Sequence, residues 1–87
     1  MPKKKLFLVH FTFRSGEAEI PFHHTLFARN LRGAERRIEE YLSDFADFPK
    51  RLGHLCYEYW HGYYAVDYEG VEPTTPDFVV RHLMIAR

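Results

Sequence analysis

Between Lys5 and Phe13 the chain alternates with a period of two: Phe7, Val9, Phe11 and Phe13 fall on one side, and Leu6, Leu8, His10 and Thr12 on the other. That is a strand's period, and the phenylalanine side is its core face. Arg14-Ser15-Gly16-Glu17 carries turn chemistry, and alternation resumes from Ala18 to Phe27 with Ile20, Phe22 and Leu26 on one side, so the two runs pair as an antiparallel hairpin. Pro21 has no N–H to give to a ladder, which places it on an edge strand or at a bulge.

The period then changes. Asn30 is a good helix N-cap, and Leu31, Ala34, Ile38, Tyr41, Leu42 and Phe45 recur at the spacing of an amphipathic helix that ends within Asp44–Pro49. After Gly53, the segments Leu55–Trp60 and Tyr63–Tyr68 are rich in strand formers and flank His61-Gly62, which predicts a second hairpin closed by a two-residue turn. Gly70 to Pro76 reads as a loop. Asp77 to Arg87 is divided: Thr75-Pro76-Asp77 is a helix opening, while Phe78-Val79-Val80 and the alternation of Val79, Arg81, Leu83 and Ile85 favour a strand, and the β-branched content decides for the strand. The order ββαβββ predicts an α+β domain, an antiparallel sheet with one amphipathic helix packed on one face.

Composition narrows the class. Eighty-seven residues make a single domain, 1–87, and 46% hydrophobic with only 28% charged residues exclude intrinsic disorder. The single cysteine, Cys56, has no internal disulfide partner, and no run approaches a membrane span. Pro2-Lys3-Lys4-Lys5 before Leu6–Val9 lacks the cleavage site of a signal peptide. The expectation is a soluble protein of the cytoplasm, small enough that a homodimer formed through an exposed sheet edge is a natural option.

Twelve basic and twelve acidic residues cancel, which excludes a globally basic nucleic-acid binder. The cancellation is uneven along the chain. Residues 1–51 hold ten Lys/Arg against seven Asp/Glu, and residues 52–87 hold two against five. The basic groups are Lys3-Lys4-Lys5, the set Arg29, Arg32, Arg36 and Arg37 at the helix start, and Lys50-Arg51. They read either as a phosphate-binding patch or as the solvated face of a helix, and the interleaved Glu35, Glu39 and Glu40 favour the second. Aromatics reach 17%, and Tyr57, Tyr59, Trp60, Tyr63, Tyr64 and Tyr68 crowd the second hairpin. Alternation sends some to each sheet face, and one helix covers only one. An aromatic surface is therefore expected on the other, with Glu58 and Asp67 beside it suiting a protein partner that carries Lys or Arg.

No pattern names a reaction. His23 and His24 are adjacent and point to opposite faces without ligand-spaced partners, so no metal and no cofactor is expected. His10 and His82 read as sheet residues. His54 and Cys56 share a face in a strand, yet a buried, inert thiol is the better reading of one such pair. A phosphate loop, a nucleophile elbow and zinc-protease signatures are all missing, so no catalytic residue is assigned.

The succession of a hairpin, the junction Phe27-Ala28-Arg29-Asn30-Leu31-Arg32-Gly33-Ala34-Glu35, one helix and an aromatic hairpin resembles small ββαββ proteins of phages and mobile elements, anti-CRISPR proteins among them. The resemblance implies a non-enzymatic inhibitor that docks on a nucleoprotein defence complex and blocks its nucleic-acid site. It assigns no residue. The leading expectation is thus a protein-binding module using Tyr57, Glu58, Tyr59, Trp60, Tyr63, Tyr64, Asp67 and Tyr68; the alternative is a nucleic-acid-binding domain using Lys3, Lys4, Lys5, Arg29, Arg32, Arg36 and Arg37.

Overall fold

The computed structural model describes residues 4–81. The strands β1 (Lys5–Ser15) and β2 (Ala18–Ala28) are followed by the helix α1 (Leu31–Ser43), then by β3 (Lys50–Gly53), β4 (Cys56–Tyr59) and β5 (Tyr64–Pro73), and by a short helix α2 (Pro76–Val79). All neighbouring strands are antiparallel, in the order β2-β1-β5-β4-β3. The α+β class holds, with α1 on one face. Pro21 lies in the outer strand β2, opposite Thr12, where a missing N–H is tolerated.

Alternation in β1 decides the core. Phe7, Val9 and Phe11 are buried with Leu26 and Ala28 of β2, Val66 of β5 and Tyr57 and Tyr59 of β4, all against Ala34, Ile38 and Leu42 of α1. Asn30 caps α1 as expected, its Oδ1 accepting the Gly33 N–H at 2.8 Å. The helix does not reach every predicted core position: Leu31 at its start and Ile20 near the β1–β2 turn are exposed.

Four expectations are corrected. Lys50–Gly53 forms a strand, β3, that the sequence pattern did not mark. The turn between β4 and β5 spans Trp60 to Tyr63 instead of His61-Gly62 alone, with Trp60, His61 and Gly62 all at positive φ. Gly70–Pro73 is strand, because β1 extends far enough to pair with it, Phe7 facing Pro73 and Val9 facing Val71 beyond a register shift at His10/Phe11. Finally, Pro76–Val79 is helical where a strand was expected. Thr75 caps it by accepting the Phe78 N–H at 3.1 Å, and Pro76 opens it; β5 is already paired on both sides, so the chain after it finds no free edge beside it. The expected strand's remainder, including His82, Leu83 and Ile85, lies outside the described residues.

This short helix gives the second sheet face a small cover. Leu8, placed by alternation on the side away from the phenylalanines, is only 3% exposed and lines a hollow with Pro73 and Phe78. The Thr74 N–H donates to the Leu6 carbonyl at 2.9 Å and ties the connection to β1.

Tyr59 anchors the larger core. Its side chain is fully buried and its hydroxyl donates to the Leu42 carbonyl at 2.6 Å. Tyr59→Phe is expected to lower unfolding free energy by about 1 kcal/mol through the lost bond, and Tyr59→Ala by about 3–5 kcal/mol through the cavity, both measured by urea denaturation. A silent Tyr59→Ala would contradict its place in the core.

Candidate functional site

Two features stand out on the surface. The first is a groove between α1 and β2. Its basic end is a hollow of about 480 Å³ lined by Lys4, Arg29, Arg32, Arg36 and Arg37, with Phe27 and a single acid, Glu40. Arg37 and Glu40 also line the next hollow, of about 540 Å³, which continues past His24, Tyr41 and Phe45 to Asp44. The two hollows adjoin along the helix, with Arg37 and Glu40 between them. The His24 ring stacks on Tyr41 with centroids 4.1 Å apart and planes 18° apart, and burial holds the His24 pKa below its ordinary value, so the ring is neutral at pH 7.

The basic end is more uniform than the sequence suggests. Glu35 and Glu39, which seemed to dilute the arginines, do not line this hollow and occupy the neighbouring stripe of α1: Glu39 accepts a hydrogen bond from the Tyr57 hydroxyl at 2.8 Å and stands 3.8 Å from Arg51, and burial, with a smaller contribution from Glu35, raises the Tyr68 pKa. Helical geometry explains the split, since Glu35 and Glu39 are four residues apart and share a stripe facing β4 and β5. Lys4 and the four arginines make no ion pair among the described residues. Lys5 opens β1 opposite Ala28 and is exposed, Lys3 lies outside the described residues, and Lys50-Arg51 belongs to β3, apart from the groove.

The tyrosine surface expected on the open sheet face does not form. Tyr57 pairs with Val66 and Tyr59 with Tyr64, so Tyr57, Tyr59, Tyr64 and Tyr68 share the helix-covered face; the first two are buried and the others half-buried. Strand residues of like parity cannot be divided between faces. Only Trp60 and Tyr63 are exposed, at 44% and 78%, because they belong to the turn. Around them stand Phe48, Leu52 and His61, which sequence reasoning missed because Phe48 and Leu52 come from other segments. This aromatic tip is the second surface feature.

Glu58 and Asp67 project from the opposite sheet face. Asp67 is held by Arg14, with Nε to Oδ2 at 2.6 Å, and accepts the Cys56 thiol at 2.9 Å. The Arg14 hydrogen bond draws the Asp67 pKa below the usual carboxylate value, while burial, reinforced by Asp67, pushes the Cys56 thiol from 9.0 up to about 11. His54 does not meet the thiol; its ring stands edge-on to Tyr68. His10 contacts the Glu72 carboxylate at 2.8 Å and stands edge-on to His23 at 4.9 Å. Among the described residues no three His, Cys, Asp or Glu side chains gather as metal ligands, and no helix is long and apolar enough to cross a membrane.

No protein-family model, no curated protein and no solved structure matches this chain. The geometry alone therefore carries the functional argument.

The thiol's environment is directly measurable. A pKa of about 11 against 9.0 leaves about 100-fold less thiolate at pH 8, so iodoacetamide is expected to label the folded protein far more slowly than the urea-unfolded chain. Asp67→Asn is expected to accelerate labelling, since it removes the anion and leaves Arg14 beside the sulfur. The linkage signs follow: the thiol's contribution to stability is complete below pH 9 and declines as pH rises toward 11, whereas Asp67's is complete above the ordinary carboxylate pKa and is lost as pH falls through its lowered value.

Proposed function

We propose that the protein is a non-catalytic binding module for single-stranded nucleic acid, which it holds along the groove between α1 and β2. One observation carries this reading: five cations without ion-pair partners among the described residues line one hollow, with Glu40 as its one acid. Phosphates are the ligands that a cluster of guanidinium forks recognises best, through bidentate charge-assisted hydrogen bonds.

The rest of the groove supports a single strand over a duplex. The cations occupy one end only, and the channel continues over the stacked His24 and Tyr41 rings beside Phe45, which suits unstacked bases laid on aromatic side chains with their backbone on the arginines. The net charge of zero for the whole chain does not oppose this, because of its twelve acids only Glu40 and Asp44 line the groove. The inhibitor role implied by the resemblance to small phage proteins is a protein-docking role. Of the residues expected to serve such docking, Tyr57 and Tyr59 are core residues, and the exposed ones are Trp60 and Tyr63 of the tip.

Binding of a labelled oligonucleotide, followed by fluorescence anisotropy, tests the proposal. With about four phosphates neutralised, affinity is expected to fall about 50-fold between about 50 and 200 mM salt. Arg32→Glu with Arg36→Glu is expected to abolish binding, and Lys50→Glu, away from the groove, to leave it unchanged. Salt-independent binding, or equal losses in all these variants, would overturn the groove assignment; tighter binding of duplex would overturn the single-strand assignment.

A further inference from the structure

We infer that the turn joining β4 to β5 is a recognition slot for a lysine or arginine side chain presented by a protein partner. The slot is a hollow of about 420 Å³ lined by Trp60, Tyr63 and Tyr64. Tyr64 is fixed from below, packed against Phe13 at 5.1 Å and Tyr59 at 5.9 Å, so one wall is part of the core. Tyr63 is the most exposed large apolar side chain among the described residues.

The backbone that presents these rings is strained. Trp60 and His61 have φ of 55° and 58°, and Phe48, which meets them from the loop after α1, has φ of 57°. Each of these left-handed conformations costs a non-glycine residue about 1–2 kcal/mol. Ordinary turn chemistry would place Gly or Asn at such positions. The conformation is nevertheless well held: the Trp60 N–H donates to the Asp47 carbonyl at 3.2 Å, the Tyr63 N–H to the Tyr59 carbonyl at 3.1 Å, and the Phe48 ring stands 5.0 Å from Trp60 and 4.9 Å from His61. The fourth such residue, Leu55 at φ 53°, is buried in the core; the three at the tip carry exposed rings, and outliers of that kind gather at binding sites.

Charge selects the occupant. Glu58 does not line the slot itself: it projects from the other sheet face, its carboxylate 3.4–3.8 Å from where a side chain on Gly62 would begin, and it lines the adjoining hollow that Tyr63 and Tyr64 share. It forms no ion pair among the described residues: Lys50 is its cross-strand neighbour without reaching it, and Arg14, in the same adjoining hollow, is committed to Asp67. Aromatic faces with an available carboxylate beside them attract a cation through the ring quadrupoles and the charge together. An anion would meet Glu58, and a purely apolar side chain would leave it without a partner. The slot shares no lining residue with the groove.

Trp60 is the chain's single tryptophan, so its emission reports on this slot alone. Titration with a short peptide carrying one lysine is expected to give a saturable change in emission, with affinity about three- to fivefold above that of the same peptide with norleucine in that place. Glu58→Gln is expected to lower the preference, leaving the part that the ring faces supply, and Tyr63→Ala to remove the response, with the urea midpoint of each variant showing that the fold persists. Equal response to both peptides would identify an apolar slot and overturn the inference, as would the absence of saturation. Emission that depends on protein concentration alone would place a second copy there and overturn it as well.

Discussion

The hydroxyl of Tyr59 donates to the Leu42 carbonyl from a fully buried position, and this contact fixes how the one long helix lies on the sheet. It joins the C-terminal turn of α1 to β4. With Ala34, Ile38 and Leu42 pressed onto Phe7, Val9, Phe11 and Val66, the helix has no freedom to roll, because a rotation of one residue would carry polar positions into the core at several kcal/mol each. Every surface feature follows from that fixed orientation. One flank of α1 faces β2 and makes the groove; the other faces β4 and β5 and gives Glu39 to Tyr57 and Arg51.

The distribution of charge is the main consequence. Along the chain, Arg32, Glu35, Arg36, Glu39 and Glu40 read as an alternating, self-neutralising face. On the helix Arg32, Arg36 and Glu40 form one stripe beside that of Glu35 and Glu39; the arginines line a hollow with Arg29 and Lys4, while Glu39 turns to the Tyr57 hydroxyl. An ion pair at an exposed site contributes little, whereas five unpaired cations around one hollow set up a local field of the sign that phosphate groups require. Neutral net charge and a strongly basic groove are therefore compatible.

The basic hollow lies at the N-terminal part of α1 and the aromatic tip beyond its C-terminal end, with the groove's second hollow between them, along thirteen residues that span about 20 Å. The chemistries of groove and tip are opposite: cations with an aromatic floor in the first, aromatic rings beside a free carboxylate at the second. Neither surface uses Cys56, whose thiol is kept protonated by burial and by Asp67, nor the Arg14–Asp67 pair, which belongs to the open sheet face.

The alternation of Phe7 to Phe13, the Asn30 cap and the spacing of Ala34, Ile38 and Leu42 were enough to determine the first hairpin, the helix and the α+β class, because periodicity and capping are local properties that any burial of the apolar side must respect. The placement of Pro21 on an outer strand was legible for the same reason. Other features depended on partners distant in sequence. The extension of β5 to Pro73 required the length of β1, the helical Pro76–Val79 followed from a sheet with no free edge beside β5, and the common face of Tyr57, Tyr59, Tyr64 and Tyr68 followed from a register that a four-residue turn sets. The sequence thus named the aromatic residues and the basic ones. Only tertiary packing decided that most of the tyrosines are interior and that the arginines form one site, since burial and electrostatic field depend on distances in space that separation along the chain does not specify.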